Sequence, residues 1–255
     1  EWTVNTDTVG RAAIACKQEG VVSGLETVRL VFRCVDPDLR VELNTADGNR
    51  ISPGDVVADF AGRLSSILLG ERTALNFLGR LSGIATLTRR FVDQVAEPPL
   101  AHKVRILDTR KTSPLWRDLE KQAVVHGGGT NHRMGLFDAV LIKDNHIAAC
   151  GGIAEAIRKV REKNQEGLEI GVEAASLDDV RIAVREKPDY VLVDNMTIDE
   201  MREAVKAAGD IPVEASGGVT LSTVREIAET GVRRISIGAL THSAPSLDFS
   251  LRVAG

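Results

Sequence analysis

The sequence lacks the patterns that mark several common functional classes. Its three cysteines, Cys16, Cys34 and Cys150, make no CxxC pair and no Cys/His ligand spacing, so neither a disulfide framework nor a zinc site is indicated. The sequence also has no apolar run as long as the roughly 18 residues of a membrane span, no Rossmann glycine fingerprint and no P-loop. Unpaired thiols predict a protein of the reducing cytoplasm.

A large excess of one charge is absent as well. The 32 Lys and Arg residues and 36 Asp and Glu residues leave a net charge of −4, which argues against a nucleic-acid binder that depends on phosphate contacts. From Lys103 to Lys143, however, eight Lys or Arg residues stand against four acids. A local cationic stretch in an acidic chain is typical of a pocket for an anionic small molecule.

The first part of the chain has the pattern of a small sheet covered by a long helix. Turn signals break residues 10–60 into short strands. Over residues 63–95 the apolar residues recur at three- and four-residue spacing, which predicts one amphipathic helix. We therefore expect an N-terminal open-faced β-sandwich with helices over residues 1–97, to which the alternating tail 245–255 returns. The expected strands include Val28–Val35, Arg40–Asn44 and Asp55–Phe60.

The segment Glu97–Pro99 stops that helix and predicts a domain boundary. After it, six apolar runs alternate with helical stretches at the spacing of βα units. A full barrel has eight such units, so residues 98–244 predict an incomplete, about six-stranded α/β barrel. The runs are Val104–Asp108, Asp138–Ile142, Leu168–Val172, Asp189–Val193, Pro212–Ala215 and Arg233–Ile237.

Cationic residues follow the first two runs, where the C-terminal ends of parallel strands form one ring. Arg110 and Lys111 follow the first run. Arginine offers a planar fork of N–H donors and lysine a mobile point charge, so the two side chains suit two different anionic groups. Lys143 follows the second run, where a bound anion would balance its charge. A structural salt bridge to Asp108 or Asp144 is the alternative for Lys143.

A glycine run precedes two more candidates for anion binding. Gly127–Gly129 permits close backbone approach, and His132 and Arg133 come directly after it. The same pattern fits a flexible turn. We favour a functional role because the next strand delivers Lys143 to the same ring.

Two acidic residues, Glu173 and Asp194, follow the third and fourth runs. Carboxylates on neighbouring strands can hold one Mg²⁺, directly or through water, with the other ligands left to water and substrate oxygens. They can also act as a general acid/base pair, and structural pairing with Lys143 is a third interpretation. In a cationic pocket for phosphates we favour the metal.

Small residues follow the last two runs, at Ser216, Gly217, Gly218 and Gly238, with His242 nearby. Loops at this position in barrels bind phosphate through backbone N–H groups, and glycine lets the phosphate approach. The predicted site therefore has a cradle for a monophosphate, an acidic pair for a metal and separate cations for further anions. These features suit a phosphorylated sugar that also bears a diphosphate, bound beside a polycarboxylate. Those are the substrates of a phosphoribosyl transfer.

Motifs along the chain resemble those of the quinolinate phosphoribosyltransferase family, also called nicotinate-nucleotide pyrophosphorylase (carboxylating). The resemblance extends from Val9 to the end, and family members carry a longer, acidic opening before this point. It implies an open-faced sandwich, an incomplete barrel and a homodimer or higher homo-oligomer with shared active sites. The motifs are Glu71–Leu78, Leu81–Thr86, Asp108–Thr112, Gly127–Gly129, His132–Arg133, Ile142–His146, Asp194–Met196, Glu214–Gly218 and Gly238–Ser243.

The resemblance also implies a role for each matching residue. Lys143, Glu173 and Asp194 would be catalytic, and the two acids would hold Mg²⁺. The residues expected to bind quinolinate are Arg110, His132, Arg133 and Lys143, with Arg72 reaching in from the other subunit. The residues expected to bind phosphoribosyl pyrophosphate are Lys111, Glu173, Asp194, Ser216, Gly217, Gly238 and His242.

The implied reaction is decarboxylating phosphoribosyl transfer to quinolinate in NAD biosynthesis, without nucleic acid or membrane as partner. Three alternatives remain: a paralogue found with molybdate-transport genes, a phosphoribosyltransferase acting on nicotinate, and a sensor that binds phosphorylated metabolites without turnover. Several cations around the acid favour a dicarboxylate over nicotinate, and the joint presence of Lys143, Glu173 and Asp194 argues against a sensor.

Overall fold

The structure, a computed structural model, describes residues 4–5, 7–96, 100 and 103–254. The strands are β1 Val9–Cys16, β2 Gly20–Val21, β3 Arg40–Leu43, β4 Arg50–Ile51, β5 Val56–Arg63, β6 Arg105–Leu107, β7 Val140–Ile142, β8 Ile170–Ala174, β9 Tyr190–Asp194, β10 Val213–Ser216, β11 Arg234–Ser236 and β12 Phe249–Val253. The helices are α1 Leu25–Val35, α2 Leu64–Ala96, α3 Arg117–His126, α4 Asp144–Cys150, α5 Ile153–Lys163, α6 Leu177–Arg185, α7 Ile198–Ala208, α8 Val224–Glu229 and α9 Ala239–His242.

The chain forms two compact units. The N-terminal unit comprises the described residues of Glu1–Arg89, Ser113–Gly128 and Ala239–Gly255, and the barrel unit comprises those of Arg90–Thr112 and Gly129–Gly238. The predicted boundary at Glu97–Pro99 lies outside the described residues. The division into residues 1–97 and 98–244 therefore stays a prediction.

The N-terminal unit is built on a four-stranded antiparallel sheet in the order β12-β1-β5-β3. In β1 the buried residues alternate with more exposed ones, as expected for a sheet that packs on one face only. Ile14 on β1, Phe60 on β5 and Leu78 on α2 lie in one apolar core. The long helix agrees with the predicted helix over residues 63–95, and β12 pairs with β1, which is the return that the alternating tail predicts.

One predicted strand of this unit is wrong. Val28–Val35 is part of the helix α1, not a strand. Leu25, Val28 and Phe32 are buried, and their spacing of three and four residues places them on one helical face. The β-branched residues between them favour a strand locally, but packing of this face against the sheet decides the outcome.

The barrel unit contains all six predicted strands in one parallel sheet, in the order β6-β11-β10-β9-β8-β7. Helices α4 to α8 lie between β7 and β11 along the chain. Among the described residues β6 and β7 do not pair with each other, so the barrel is incomplete, as predicted. Because the strands are parallel, their C-terminal ends share one rim.

Candidate active site

A cavity of about 320 Å³ lies at this rim, entirely within the barrel unit. Eight of the predicted site residues line it, which is the convergence expected for parallel strand ends. The lining residues are Thr109, Arg110, Lys111, His132, Arg133, Leu141, Lys143, Glu173, Leu192, Asp194, Glu214, Ser216 and Ser236.

The cationic side of the cavity combines Arg110, Lys111, Arg133 and Lys143. Burial lowers the pKa of Arg133, and the neighbouring positive charge of Arg110 lowers it further. Like charges placed this close destabilise one another until an anion binds between them. The cavity is therefore prepared for a ligand with more than one negative group.

Lys143 pairs with Glu173 rather than with Asp108 or Asp144. Its Nζ lies 3.5 Å from Glu173 Oε2, and half of the lysine side chain is exposed. A pair this exposed adds little stability. It does hold a cation and a carboxylate side by side at the rim, at the ends of the adjacent strands β7 and β8.

The segment that carries His132 and Arg133 is fixed alongside β6. The Thr130 N–H donates to Ile106 O at 2.8 Å, and the Asp108 N–H donates to Thr130 O at 3.3 Å. The buried Asp108 carboxylate then accepts the His132 N–H at 2.9 Å. The glycine-rich stretch therefore leads into an ordered segment at the edge of the sheet, not a loose turn.

The acidic side of the cavity is formed by Glu173 on β8 and Asp194 on β9, which are neighbouring strands. Asp194 Oδ2 accepts a hydrogen bond from Asn195 Nδ2 at 3.0 Å. Within the described ranges no three His, Cys, Asp or Glu side chains are grouped as a complete metal site. Two carboxylates open to a cavity suit a metal that takes most of its ligands from a substrate and water.

The predicted phosphate loop follows β10. Gly217 has a φ of +95°, and a Cβ there would lie 2.2 Å from Asn195 Oδ1. The left-handed backbone favours glycine here, and any side chain would also displace the Asn195 amide. Ser216 lines the cavity, and Gly238 follows β11 two residues after Ser236.

Arg72 and His242 belong to the N-terminal unit, whereas the cavity lies in the barrel unit. Arg72 is exposed on α2. His242 ends α9, and its Nδ1 lies 2.6 Å from Ser243 Oγ. The roles that the resemblance gives these two residues stay predictions.

Sequence reasoning missed a set of charged and polar residues beneath the cavity. Glu214 is fully buried yet lines the cavity, and its Oε2 lies 2.7 Å from Arg234 Nε. Its Oε1 lies 3.3 Å from His132 Nε2. Burial alone raises the pKa of Glu214, but the contacts with His132 and Arg234 outweigh burial and lower it. In the sequence these residues are indicated by one charged residue inside each of two otherwise apolar strands, Glu214 in β10 and Arg234 in β11.

Tyr190 completes this layer. Its ring lies 4.0 Å from the Arg234 guanidinium carbon, and its hydroxyl lies 3.4 Å from His132 Nε2. Burial raises the pKa of Tyr190 well above its ordinary value, so the hydroxyl stays protonated. A Cβ at Gly171 would lie 2.1 Å from Tyr190 Cζ, which explains the glycine in β8.

An open parallel barrel with cations and carboxylates at its C-terminal rim defines an enzyme of the α/β-barrel class that acts on anionic small molecules. Two family models match nearly the whole chain: the quinolinate phosphoribosyl transferase N-terminal domain over residues 1–82 and the C-terminal domain over residues 84–252. The chain belongs to the quinolinate phosphoribosyltransferase family.

Individual relatives agree with this assignment. A probable nicotinate-nucleotide pyrophosphorylase [carboxylating] of Synechocystis is 42% identical over 96% of this chain and 83% of its own length. Quinolinate phosphoribosyltransferase [decarboxylating] 2b, mitochondrial, of Nicotiana tabacum is 40% identical over 98% of this chain and 75% of its own. The solved nicotinate-nucleotide pyrophosphorylase of Francisella tularensis is 36% identical, with a TM-score of 0.93, over 98% of this chain and 88% of that chain.

No helix in the described part of the chain is long and apolar enough to span a membrane.

Proposed function

We propose that the barrel cavity carries out the reaction of its family, decarboxylating transfer of a phosphoribosyl group from phosphoribosyl pyrophosphate to quinolinate. The products are nicotinate mononucleotide, pyrophosphate and CO₂, a step of de novo NAD biosynthesis. The observation that carries this proposal is one cavity lined by four Lys or Arg side chains and two rim carboxylates. This set matches a dicarboxylate and a phosphorylated sugar bound side by side.

Quinolinate binds on the cationic side. Arg110 and Arg133 each offer a planar pair of N–H donors that fits a carboxylate, and Lys143 adds a point charge. A dianion between Arg110 and Arg133 relieves the repulsion that lowers the pKa of Arg133. Binding energy is therefore gained from relief of repulsion as well as from new hydrogen bonds.

Phosphoribosyl pyrophosphate binds along the rest of the rim. Lys111 faces the pyrophosphate, Glu173 and Asp194 hold the ribose hydroxyls, and Ser216 with Gly217 receives the 5′-phosphate. Gly238 takes part in the same phosphate contact. Glycine at residue 217 keeps the backbone free of a side chain where the phosphate approaches.

Glu173 and Asp194 are also the residues that would hold Mg²⁺, directly or through water. Their carboxylates are the hard oxygen ligands that this ion prefers, and their number leaves coordination sites for substrate oxygens. When bound, the ion would offset the negative charge of the pyrophosphate. The pair Lys143–Glu173 keeps one of these carboxylates next to the quinolinate side.

The reaction depends more on the positions of the two substrates than on proton transfer by a side chain. The pyridine nitrogen of quinolinate attacks C1 of the ribose, and the C1–oxygen bond to pyrophosphate breaks with its electron pair leaving on pyrophosphate. The quaternised ring then accepts the electron pair of the adjacent C–CO₂⁻ bond as CO₂ leaves. A proton from solvent takes the place of CO₂ on that ring carbon. Arg110, Arg133 and Lys111 contribute by holding two anions together that otherwise repel each other.

We further propose that the enzyme is a homodimer or higher homo-oligomer, in which Arg72 of each subunit reaches the quinolinate side of the other and His242 contributes to the 5′-phosphate contact. This part is supported by the family resemblance. A reducing, cytoplasmic setting is supported by Cys16, Cys34 and Cys150, which are free thiols.

Incubation of the purified protein with quinolinate, phosphoribosyl pyrophosphate and Mg²⁺, with nicotinate as a parallel substrate, tests the proposal. We expect nicotinate mononucleotide and CO₂ in equal amounts from quinolinate, no product from nicotinate, and loss of turnover after chelation of the metal. Product from nicotinate would instead identify the nicotinate enzyme, and binding without product would favour the sensor.

A matched pair of variants tests the acidic side. Glu173→Ala should lose turnover at saturating quinolinate, whereas Glu166→Ala, an exposed glutamate of the same unit, should keep it. Full turnover in Glu173→Ala would remove this residue from the proposed site.

A further inference from the structure

The floor of the cavity contains a histidine whose two ring nitrogens both face protein groups. His132 is nine-tenths buried. On one side its Nδ1 accepts the backbone N–H of Arg133 at 2.7 Å. On the other side its Nε2 lies 3.3 Å from Glu214 Oε1 and 3.4 Å from the Tyr190 hydroxyl.

These contacts determine where the proton of the imidazole lies. An amide N–H can only donate, so Nδ1 must present its lone pair and carries no proton. Nε2 then carries the proton and faces the Glu214 carboxylate, whose Oε1 lies 3.3 Å away. An imidazolium would place two N–H groups against each other at the Arg133 amide, which is unfavourable.

The charges around His132 are balanced without a positive charge on its ring. Glu214 already forms an ion pair with Arg234, whose Nε lies 2.7 Å from Glu214 Oε2. Arg234 in turn lies 2.7 Å from Glu169 Oε1 through Nη1. Because Arg234 is a permanent cation that balances Glu214, the second carboxylate oxygen, 3.3 Å from Nε2, needs no further positive charge beside it.

We infer that His132 is held as the neutral imidazole with its proton on Nε2, and that it acts as a positioning residue for Arg133 rather than as a direct ligand of quinolinate. The second half of this inference rests on the proposed function. Two consecutive amides are fixed: the His132 N–H by Asp108 Oδ1 and the Arg133 N–H by the His132 ring. The guanidinium of Arg133, whose Nη1 also donates to Ala139 O at 3.3 Å, is thereby fixed at the cavity wall.

Nitrogen NMR of the wild-type protein tests the protonation state without any turnover. The chain has five histidines, so ¹⁵N-histidine labelling gives five ring spin systems, and the one lost in His132→Asn belongs to His132. We expect the pattern of the Nε2–H tautomer at neutral pH, with Nδ1 far downfield of Nε2, and the same pattern after quinolinate is added. An imidazolium pattern or an Nδ1–H tautomer would overturn the inference.

Two substitutions test the positioning role. Asn can replace Nδ1 as the acceptor for the Arg133 amide but does not reach the Nε2 position, whereas Gln reaches the Nε2 position and loses that acceptor. We expect the KM for quinolinate to stay within about threefold in His132→Asn and to rise about tenfold or more in His132→Gln, with the KM for phosphoribosyl pyrophosphate unchanged in both. Direct contact of Nε2 with quinolinate predicts the opposite order.

Thermal unfolding and circular dichroism of both variants show whether a loss of activity reflects a loss of fold. Equal increases in the quinolinate KM in two folded variants would also overturn the positioning role. If the wild-type protein does not turn over quinolinate, the proposed function fails while the NMR result still decides the protonation state. The two proposals can therefore fail separately.

Discussion

The apolar core of the N-terminal unit and the charged layer of the barrel unit differ in chemistry. In the N-terminal unit the core over the four-stranded sheet is apolar, with Phe32 and Phe60 fully buried and their ring centroids 4.4 Å apart. The buried charge of this unit lies on its helices, where Glu120 of α3 pairs with Arg80 of α2. In the barrel unit Glu214 and Arg234 are buried beneath the cavity. Well-packed apolar residues would stabilise that interior at least as well as a buried ion pair. Because Glu214 also lines the cavity, the charged layer is best explained by the site above it. Buried charge indicates function where it borders a cavity, which Glu120 of the N-terminal unit does not do at this site.

The largest expected effect comes from breaking the charged layer on one side. Arg234→Met leaves Glu214 buried without its cation, which should lower the free energy of unfolding by about 3–5 kcal/mol. It should also raise the KM for quinolinate, because Glu214 contacts His132. Denaturant unfolding and steady-state kinetics measure the two effects.

The double variant Arg234→Met/Glu214→Gln is the control for this prediction, because it removes the uncompensated charge. It should recover much of the lost stability. If the single and double variants are equally unstable, Arg234 acts through packing on Tyr190 and not through its charge.

The apolar core should respond in stability alone. Phe32→Ala removes a fully buried ring and should lower the free energy of unfolding by about 3–5 kcal/mol. The KM values of the folded enzyme should be unchanged. Leu30→Ala, at a position on the same helix that is 57% exposed, should change stability by less than about 0.5 kcal/mol. A shift in either KM for Phe32→Ala would contradict the contrast between this apolar core and the charged layer of the barrel unit.

The sequence predicts the barrel better than the small sheet. Each barrel strand is an apolar run that ends in polar or glycine residues, and parallel strands buried on both faces make such runs continuous. Local propensity predicts a strand in place of the helix α1, because Val28–Val35 is rich in β-branched and aromatic residues. Its helical face becomes evident only when Leu25 is included, and packing against the sheet then overrides local propensity.

The same logic explains which site residues the sequence reveals. Arg110, Lys143 and Asp194 stand at strand ends, and the rim of a parallel sheet brings strand ends together whatever the register. Glu214 and Arg234 lie within strands, opposite each other on β10 and β11. Which face of the sheet they occupy depends on register, and a shift of one residue would reverse it. Their role therefore needed the structure.

A smaller effect is expected on the cationic side of the cavity, which combines Arg110, Lys111, Arg133 and Lys143. Arg110→Lys replaces a planar fork with a point charge, and loss of one charge-assisted hydrogen bond corresponds to about 1.5–3 kcal/mol, or roughly a 10- to 100-fold rise in the KM for quinolinate. The free energy of unfolding should be unchanged. This result would distinguish the cationic side of the cavity from the charged layer, where substitution also destabilises the protein. Arg105→Lys, an exposed position on β6, is the matched control. Unchanged quinolinate affinity in Arg110→Lys would count against its proposed role.

The smallest effect is expected at the start of the helix α6, just after β8. Ser176 caps this helix, and its side chain accepts the Asp179 N–H at 3.1 Å. Ser176→Ala should lower the free energy of unfolding by about 1 kcal/mol, and Ser176→Asp should restore it, because aspartate also caps helices. Both variants should keep wild-type KM values, since this contact stabilises a helix and does not touch the charged layer. A change in KM without a change in stability would mean that the site also depends on the helix cap that follows β8.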